Sequence, residues 1–236
     1  MTEAARNTAR DIINAAKSRG QTALTEYESK QVLAAYGIPV TREALVEDLA
    51  SATAAAATIG WPLVLKACAH DVTHKTERGL VQVGIANVDQ LGAAWKRMRT
   101  EGAYDGPFLL QKMVRGAREL VLGLIRDPQM GPSVMFGIGG IFTEIFEDVV
   151  FRVAPLTKED ALEMTGEIRG AKILDAVRGM PDVDRDSLAA TAVALGRIGL
   201  DHPEIQEIDV NPLIISGNTP IAVDALIVLG EEASSV

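Results

Sequence analysis

The stretch that most constrains the fold lies near the carboxyl end, where residues 207–212 have the sequence Glu-Ile-Asp-Val-Asn-Pro. Side chains alternate faces along a strand, so Glu207, Asp209 and Asn211 should project from one face while the residues between them enter a core. Carboxylate and amide oxygens gathered on one face suit a shared cation such as Mg²⁺. The stretch therefore predicts either a magnesium site or an exposed edge hairpin with solvated polar residues.

A tight turn follows this strand. Residues 216–219 are Ser-Gly-Asn-Thr, which favours a two-residue hairpin turn, and the apolar run 220–228 carries a single charge, Asp224. This turn would place Asn211 opposite Asp224, with the two Cβ atoms about 5 Å apart. The predicted hairpin thus brings two oxygen ligands within reach of one ion.

Composition restricts the class of protein. The chain has 236 residues, 47% of them hydrophobic, which is enough for one large domain or two modest lobes. A net charge of −9 without clustered Lys and Arg argues against a nucleic-acid partner. A single cysteine, Cys68, excludes an internal disulfide and fits a reducing compartment. Because no apolar run approaches the ~20 residues of a membrane span and the amino terminus lacks a signal-like apolar region, a cytoplasmic protein is expected.

Hydrophobic periodicity predicts an alternation of helices and strands. The predicted helices cover 4–17, 25–36, 46–59, 88–99, 157–165 and 184–198. Predicted strands include 61–68, 80–86, 108–114, 118–125 and 149–154, in addition to the carboxyl-terminal hairpin. The Gly- and Pro-containing break at 102–107 predicts a boundary between two lobes.

Two polar features interrupt this apolar framework in the first half of the chain. Lys66 lies within the apolar strand 61–68, where its ammonium group either reaches solvent at the strand end or meets an anion such as a phosphate. The following loop holds His70 and His74 but lacks the glutamate of the zinc-protease pattern. His74, close to Lys75, is either an ordinary exposed histidine or a nucleophile for a phosphoryl group.

Glu119 and the glycines of 137–140 each allow a structural and a ligand-binding interpretation. Glu119 begins an apolar strand, and its simplest role is a salt bridge with Arg118 or Arg152. The glycines of 137–140 would allow backbone N–H groups to approach phosphates, or would serve a tight turn. They do not form a dinucleotide fingerprint, because its third glycine would fall on Phe142.

Seven short motifs occur in order along the chain: Leu65–Ala67, His74–Lys75, Gln111–Met113, Arg118–Leu120, Gly137–Glu144, Phe151–Leu156 and Glu207–Leu213. Together they resemble the ATP-grasp subunit of ADP-forming acyl-CoA synthetases, and most of all the separate β subunit of ADP-forming acetate–CoA ligase. The resemblance covers the chain from Leu24 onward. It implies an α/β (α+β) ATP-grasp fold of two lobes, each a sheet flanked by helices. The implied domains are an N-terminal helix (1–23), an N-terminal lobe carrying the His74 loop (24–106) and a C-terminal lobe with the Mg-nucleotide site (107–236).

The resemblance also implies an ATP or ADP site. Its implied nucleotide-binding residues are Lys66 at the phosphates, Gln111, Lys112 and Met113 at the adenine, Glu119 over the nucleotide, and Gly139 and Gly140. The implied Mg²⁺ ligands are Asn211 and Asp224, with Asp209 and Glu207 nearby. His74 occupies the position of a histidine that is transiently phosphorylated in such enzymes.

The implied reaction converts acyl-CoA, ADP and phosphate into a carboxylic acid, ATP and CoA. Larger relatives carry a CoA-binding portion that this chain lacks, so the resemblance implies an α subunit and an α₂β₂ assembly. The stretch Thr76–Leu80 departs from the family pattern, with one glycine and an added Arg78. Two alternatives stay open: a stand-alone ATP-grasp carboxylate ligase that does not need His74, and a non-catalytic nucleotide-sensing module.

Overall fold

The computed structural model describes residues 2–69, 79–140, 148–177 and 179–230. Its helices are α1 (Glu3–Ser18), α2 (Glu26–Ala35), α3 (Leu49–Ile59), α4 (Val88–Thr100), α5 (Lys158–Glu167) and α6 (Arg185–Asp201). Its strands are β1 (Glu43–Val46), β2 (Leu63–Ala67), β3 (Val81–Ile85), β4 (Phe108–Lys112), β5 (Glu119–Asp127), β6 (Gly131–Ile138), β7 (Val149–Val153), β8 (Ile205–Ser216), β9 (Thr219–Ala222) and β10 (Leu226–Leu229). None of the helices in these ranges combines the length and the apolar character that crossing a membrane requires.

These elements divide between two compact units. The smaller unit comprises Thr25–Tyr27 and Thr41–Val114, and the larger comprises Met1–Leu24, Glu28–Val40 and Arg115–Val236. The chain passes between them after Val114 rather than at the break predicted near Gly106. The reason is that β4 pairs with β1 and β2 and so belongs to the smaller unit.

The smaller unit is an antiparallel sheet in the order β1-β4-β2-β3, with α3 and α4 against one face. Leu63 and Leu65 enter the core beneath these helices, so Lys66 points to the opposite face of the sheet. The predicted helix over 46–59 is too long at its start. Asp48 accepts a hydrogen bond from the Ser51 N–H group and begins α3 at Leu49, which leaves the preceding residues free to pair as β1.

The larger unit is a six-stranded sheet in the order β10-β8-β5-β6-β7, with β9 also paired to β8. Helices α1, α2, α5 and α6 contribute to its core on one face of the sheet. Alternate residues of the strands, such as Leu122, Phe136 and Ile208, enter this core. The other side chains of each strand point to the opposite face of the sheet, away from the helices. The acidic side chains of β8 lie on that opposite face.

The carboxyl-terminal hairpin has the predicted turn, because Ser216 pairs with Thr219. The second strand is not continuous as predicted. It is divided into β9 and β10 by residues 223–225, which lie outside the ladder. One cause is Pro212, which has no N–H group to give to the strand opposite it.

Arg118 holds the loops around this hairpin. Its side chain is 2% exposed, and its guanidinium donates hydrogen bonds to four carbonyl oxygens, at 2.8–3.4 Å, of Ile173, Asp175, Pro181 and Gly217. A buried guanidinium needs hydrogen-bond acceptors, and these four carbonyl oxygens provide them. Arg118 is therefore part of the structure of this unit.

We expect Arg118→Leu to lower the free energy of unfolding by about 3 kcal/mol, because four backbone carbonyls from separate loops lose the buried guanidinium that they share as a donor. Urea unfolding followed by circular dichroism measures this change. The exposed neighbour Arg115 gives a matched control, since Arg115→Leu should leave the unfolding midpoint nearly unchanged. Equal midpoints for the two variants would show that the buried guanidinium does not stabilise the fold.

Candidate functional site

The polar row on β8 has the predicted alternation. Glu207 and Asn211 are exposed and Asp209 is half-buried, whereas Ile208 and Val210 are buried in the core of the larger unit. Burial of the apolar residues fixes which face the polar ones occupy. The three polar side chains therefore share the face opposite the helices.

The register of the hairpin puts Asp224 opposite Asn211, although residues 223–225 themselves lie outside the ladder. The register is the same on both sides of the interruption, since Leu213 pairs with Ala222 and Asp209 pairs with Leu226. Directly opposed residues in a sheet have Cβ atoms about 5 Å apart. The register on both sides of the interruption is thus the one that the hairpin turn predicted.

The carboxylates of this cluster influence one another. Burial of Asp209 raises the pKa of its carboxyl group to about 6, and the negative charges of Glu207 and Asp224 add to this effect. A neighbouring cation would act in the opposite direction and favour the ionised form. A positive ion bound at this cluster would therefore stabilise the ionised carboxylates.

In the part of the chain that the structure describes, the protein's own side chains do not form a complete coordination site for a metal ion. No group of three or more His, Cys, Asp and Glu side chains is arranged there to hold one. Mg²⁺ is commonly held by one or two protein oxygens, with phosphate oxygens and waters filling the other positions. Asn211 and Asp224 fit this pattern. A rise of about 3.3 Å per residue places Asp209 roughly 7 Å and Glu207 roughly 13 Å along the strand from Asn211, so their assignment to the metal stays a prediction.

The structure brings Glu119 and the glycines together. The Gly139 N–H group donates to the Glu119 carbonyl oxygen at 2.8 Å. A Cβ atom on Gly139 would lie 2.7 Å from the Leu120 backbone, and one on Gly140 would lie 2.9 Å from Glu119 Oε2. Close packing against the backbone at the start of β5 thus requires glycine at position 139, and a φ of 70° favours glycine at position 140. A role of the two glycines in phosphate binding stays a prediction.

Glu119 does not form the salt bridge that was the simplest expectation. Arg118 is buried against backbone carbonyls, and Arg152 pairs with Glu167. Glu119 itself is exposed. Its carboxylate lies on the surface beside Gly140, where a ligand group can reach it.

In the smaller unit, Lys66 forms a buried ion pair. Its Nζ atom lies 2.6 Å from Glu26 Oε1, and Lys66 and Glu26 are only 6% and 4% exposed. The lysine therefore does not reach solvent at the strand end. Sequence reasoning missed Glu26, which is far from Lys66 in the chain; the available signal was only that a buried ammonium needs an anion.

The predicted adenine-binding residues follow one another at the end of β4. Gln111 is buried. Lys112 Nζ donates to the carbonyl oxygens of Gly60 and Trp61, and the Met113 N–H group donates to the Pro62 carbonyl oxygen at 3.0 Å. In this structure the Lys112 ammonium and the Met113 backbone hold the turn before β2.

The remaining predicted residue, His74, lies outside the described residues. Its role as a phosphoryl carrier stays a prediction. The segment 141–147, which follows the glycines, also lies outside them.

Comparison with known proteins adds independent findings. Residues 15–229 match the family model of the ATP-grasp domain. The β subunit of acetate–CoA ligase [ADP-forming] I from Pyrococcus furiosus is 40% identical, over 94% of this chain and 97% of that protein. Acetate–CoA ligase [ADP-forming] I from Archaeoglobus fulgidus is 38% identical, and the match covers 87% of this chain but only 31% of that longer protein.

A solved structure is equally similar. It is that of dinucleotide forming acetyl-coenzyme A synthetase 1 from Ca. Korarchaeum cryptofilum, in complex with coenzyme A and Mg-AMPPCP, with its phosphohistidine segment pointing towards the nucleotide binding site. That chain is 39% identical, the TM-score is 0.85, and the match covers 94% of this chain and all of that one.

The raised pKa of Asp209 leads to a pH-dependent prediction. The folded state binds the Asp209 proton more tightly than the unfolded chain does, so its contribution to stability is lost as the pH rises from about 4 to about 6. Asp209→Asn removes the charge, and in metal-free buffer at pH 8 we expect it to raise the unfolding temperature by a few degrees, on the order of 1–2 kcal/mol after screening by solvent. At pH 4 the gain should vanish, because the wild-type carboxyl group is then largely protonated.

Thermal melts at the two pH values in the presence of EDTA test this expectation. Asp105→Asn, at an exposed loop position, serves as the matched control and should show no pH-dependent gain. A stabilisation by Asp209→Asn that is equal at both pH values would contradict the electrostatic explanation.

Proposed function

Because the chain belongs to the ATP-grasp family of ADP-forming acetate–CoA ligase β subunits, we propose that it is the nucleotide-binding subunit of an ADP-forming acid–CoA ligase. The reaction is acyl-CoA + ADP + phosphate = carboxylic acid + ATP + CoA. The observation that carries the proposal is the near-complete match, along both chains, to a separate β subunit. The register that puts Asp224 opposite Asn211, beside the carboxylates of Glu207 and Asp209, supports a Mg-nucleotide site within it.

The proposal includes a partner. The Pyrococcus furiosus relative is named as a β subunit, and the Archaeoglobus fulgidus relative is about three times as long as the matched region. The extra length in the fused relative is where a CoA-binding portion would be found. We therefore expect this chain to act with a separate CoA-binding α subunit, in an α₂β₂ assembly.

Three polar residues have distinct proposed roles toward the nucleotide and its metal ion. Asn211 and Asp224 would hold Mg²⁺, which when bound neutralises charge on the phosphate oxygens. Lys66 would place its ammonium group against the nucleotide phosphates, where Glu26 now meets it. Since positioning and charge neutralisation supply most of the catalysis in phosphoryl transfer, these fixed groups are the chain's main contribution at the nucleotide.

His74 is the proposed phosphoryl carrier. A neutral imidazole nitrogen attacks the phosphorus atom presented by the partner, so that an N–P bond forms as the bond to the previous carrier breaks. An oxygen of the ADP β-phosphate then attacks the same phosphorus, the N–P bond breaks, and ATP and the neutral imidazole are formed. The Korarchaeum relative is described as having a phosphohistidine segment that points towards its nucleotide site, which supports a carrier step of this kind.

Labelling of the purified chain tests the carrier. After incubation with ATP and Mg²⁺, we expect intact-mass analysis to show an added, acid-labile phosphoryl group on the wild type and none on His74→Ala. The matched control is His70→Ala, which alters a neighbouring histidine and should retain the label.

Two results would contradict this function. Label on His74→Ala would show that another residue carries the phosphoryl group. Nucleotide binding without label, even after a candidate α subunit is added, would instead favour a stand-alone carboxylate ligase that forms an acyl phosphate directly.

A further inference from the structure

The segment that carries Asp224 is irregular. Residues 223–225 lie between β9 and β10 and belong to neither strand. A side chain on such a segment is not held by a regular ladder of backbone hydrogen bonds. Other contacts must therefore fix the position of Asp224 relative to Asn211.

One backbone hydrogen bond that β8 would normally supply is missing here. The Val223 N–H group donates to the Pro212 carbonyl oxygen at 3.1 Å. In a hydrogen-bonded antiparallel pair the opposite residue returns a second N–H···O bond. Pro212 has no N–H group, so β8 cannot return this bond to the Val223 carbonyl oxygen.

Helix α2 supplies a donor at this point. Lys30 is fully buried, at 0% exposure, and its Nζ atom lies 3.3 Å from the Val223 carbonyl oxygen. An ammonium group is costly to bury unless its N–H groups are hydrogen-bonded, so Lys30 needs acceptors such as this carbonyl oxygen. Lys30 thus gives the Val223 carbonyl a hydrogen bond that Pro212 cannot give.

Ser29, the residue before Lys30 in α2, contacts the chain on the other side of the irregular segment 223–225. Ser29 is also fully buried, and its Oγ atom accepts a hydrogen bond from the Ile227 N–H group at 3.1 Å. The Ile227 carbonyl oxygen in turn accepts from the Leu24 N–H group at 2.9 Å. The segment that leads into α2 and the helix itself therefore fix the backbone on both sides of Asp224.

We propose that Lys30 and Ser29 are positioning residues for the metal ligand Asp224. They hold the irregular segment so that the Asp224 carboxylate stays opposite Asn211, ready to receive the ion with its nucleotide. This inference rests on the proposed function, in which Asn211 and Asp224 hold Mg²⁺. Neither residue is expected to contact the ion, and both act through the backbone of residues 223–227.

Metal binding to the full chain tests the inference. Mn²⁺ serves as the probe and is titrated by electron paramagnetic resonance in the presence of saturating ADP. We expect Lys30→Met, which keeps the volume but removes the ammonium group, to weaken Mn²⁺ binding about tenfold. Ser29→Ala should weaken it in the same direction by a smaller factor. Lys96→Met, at an exposed position of α4, is the matched control and should bind Mn²⁺ as the wild type does.

A general structural defect is distinguished by two further measurements. Binding of ADP without metal, measured by calorimetry, should change less than about twofold in Lys30→Met, because only the metal ligand is displaced. In an Asp224→Ala background, Lys30→Met should cause no further loss of Mn²⁺ affinity, since the ligand it positions is already gone. An equal loss in both backgrounds would overturn the positioning role.

The remaining outcomes separate the two proposals. If Asp224→Ala weakens Mn²⁺ binding but Lys30→Met and Ser29→Ala bind as the wild type does, the positioning role is wrong and the metal site stands. If the wild type binds no Mn²⁺ with ADP, or Asp224→Ala binds it equally well, the metal site of the proposed function is wrong and the positioning role fails with it. Should Lys30→Met not fold, Ser29→Ala decides the question by the same titration and the same Asp224→Ala background.

Discussion

The pairing of β8 is the constraint on which the candidate metal site depends. This strand is bonded to β5 on one side and to β9 and β10 on the other, and it buries Ile208 and Val210 against the helices of the larger unit. A shift of one residue would turn the carboxylates of Glu207 and Asp209 into an apolar core, at a large cost in free energy. The hydrophobic effect thus sets the register, and the register places the oxygen ligands.

Buried cations stabilise contacts inside each of the two units. Arg118, Lys66 and Lys30 are each almost fully buried, and each meets oxygen atoms contributed by a distant part of the chain. The sequence shows that a cation lies in an apolar context, but it does not show which oxygen meets it. That information arises only when helices and strands pack, which is why Glu26 was missed as the partner of Lys66.

Local rules predicted much of the fold and part of the site. The period of apolar residues predicted which face of each strand is buried. The Gly217-Asn218 turn predicted the register that puts Asn211 opposite Asp224. Both predictions succeed because they depend on residues close in sequence. The break at 223–225 was not predicted, although the same register places Pro212, which has no N–H group, opposite Val223. The short strand β1 was also missed, because its four residues run directly into a strongly capped helix.

The choice of asparagine at position 211 follows from the charge of the cluster. The pKa of Asp209 is already raised by its burial and by the charges of Glu207 and Asp224, so another carboxylate would add repulsion whenever no cation is bound. An amide oxygen offers a lone pair to a hard cation without adding charge. In the proposed site the nucleotide phosphates bring their own negative charge, so a neutral ligand at Asn211 lets Mg²⁺ and nucleotide bind together without an excess of negative charge on the protein.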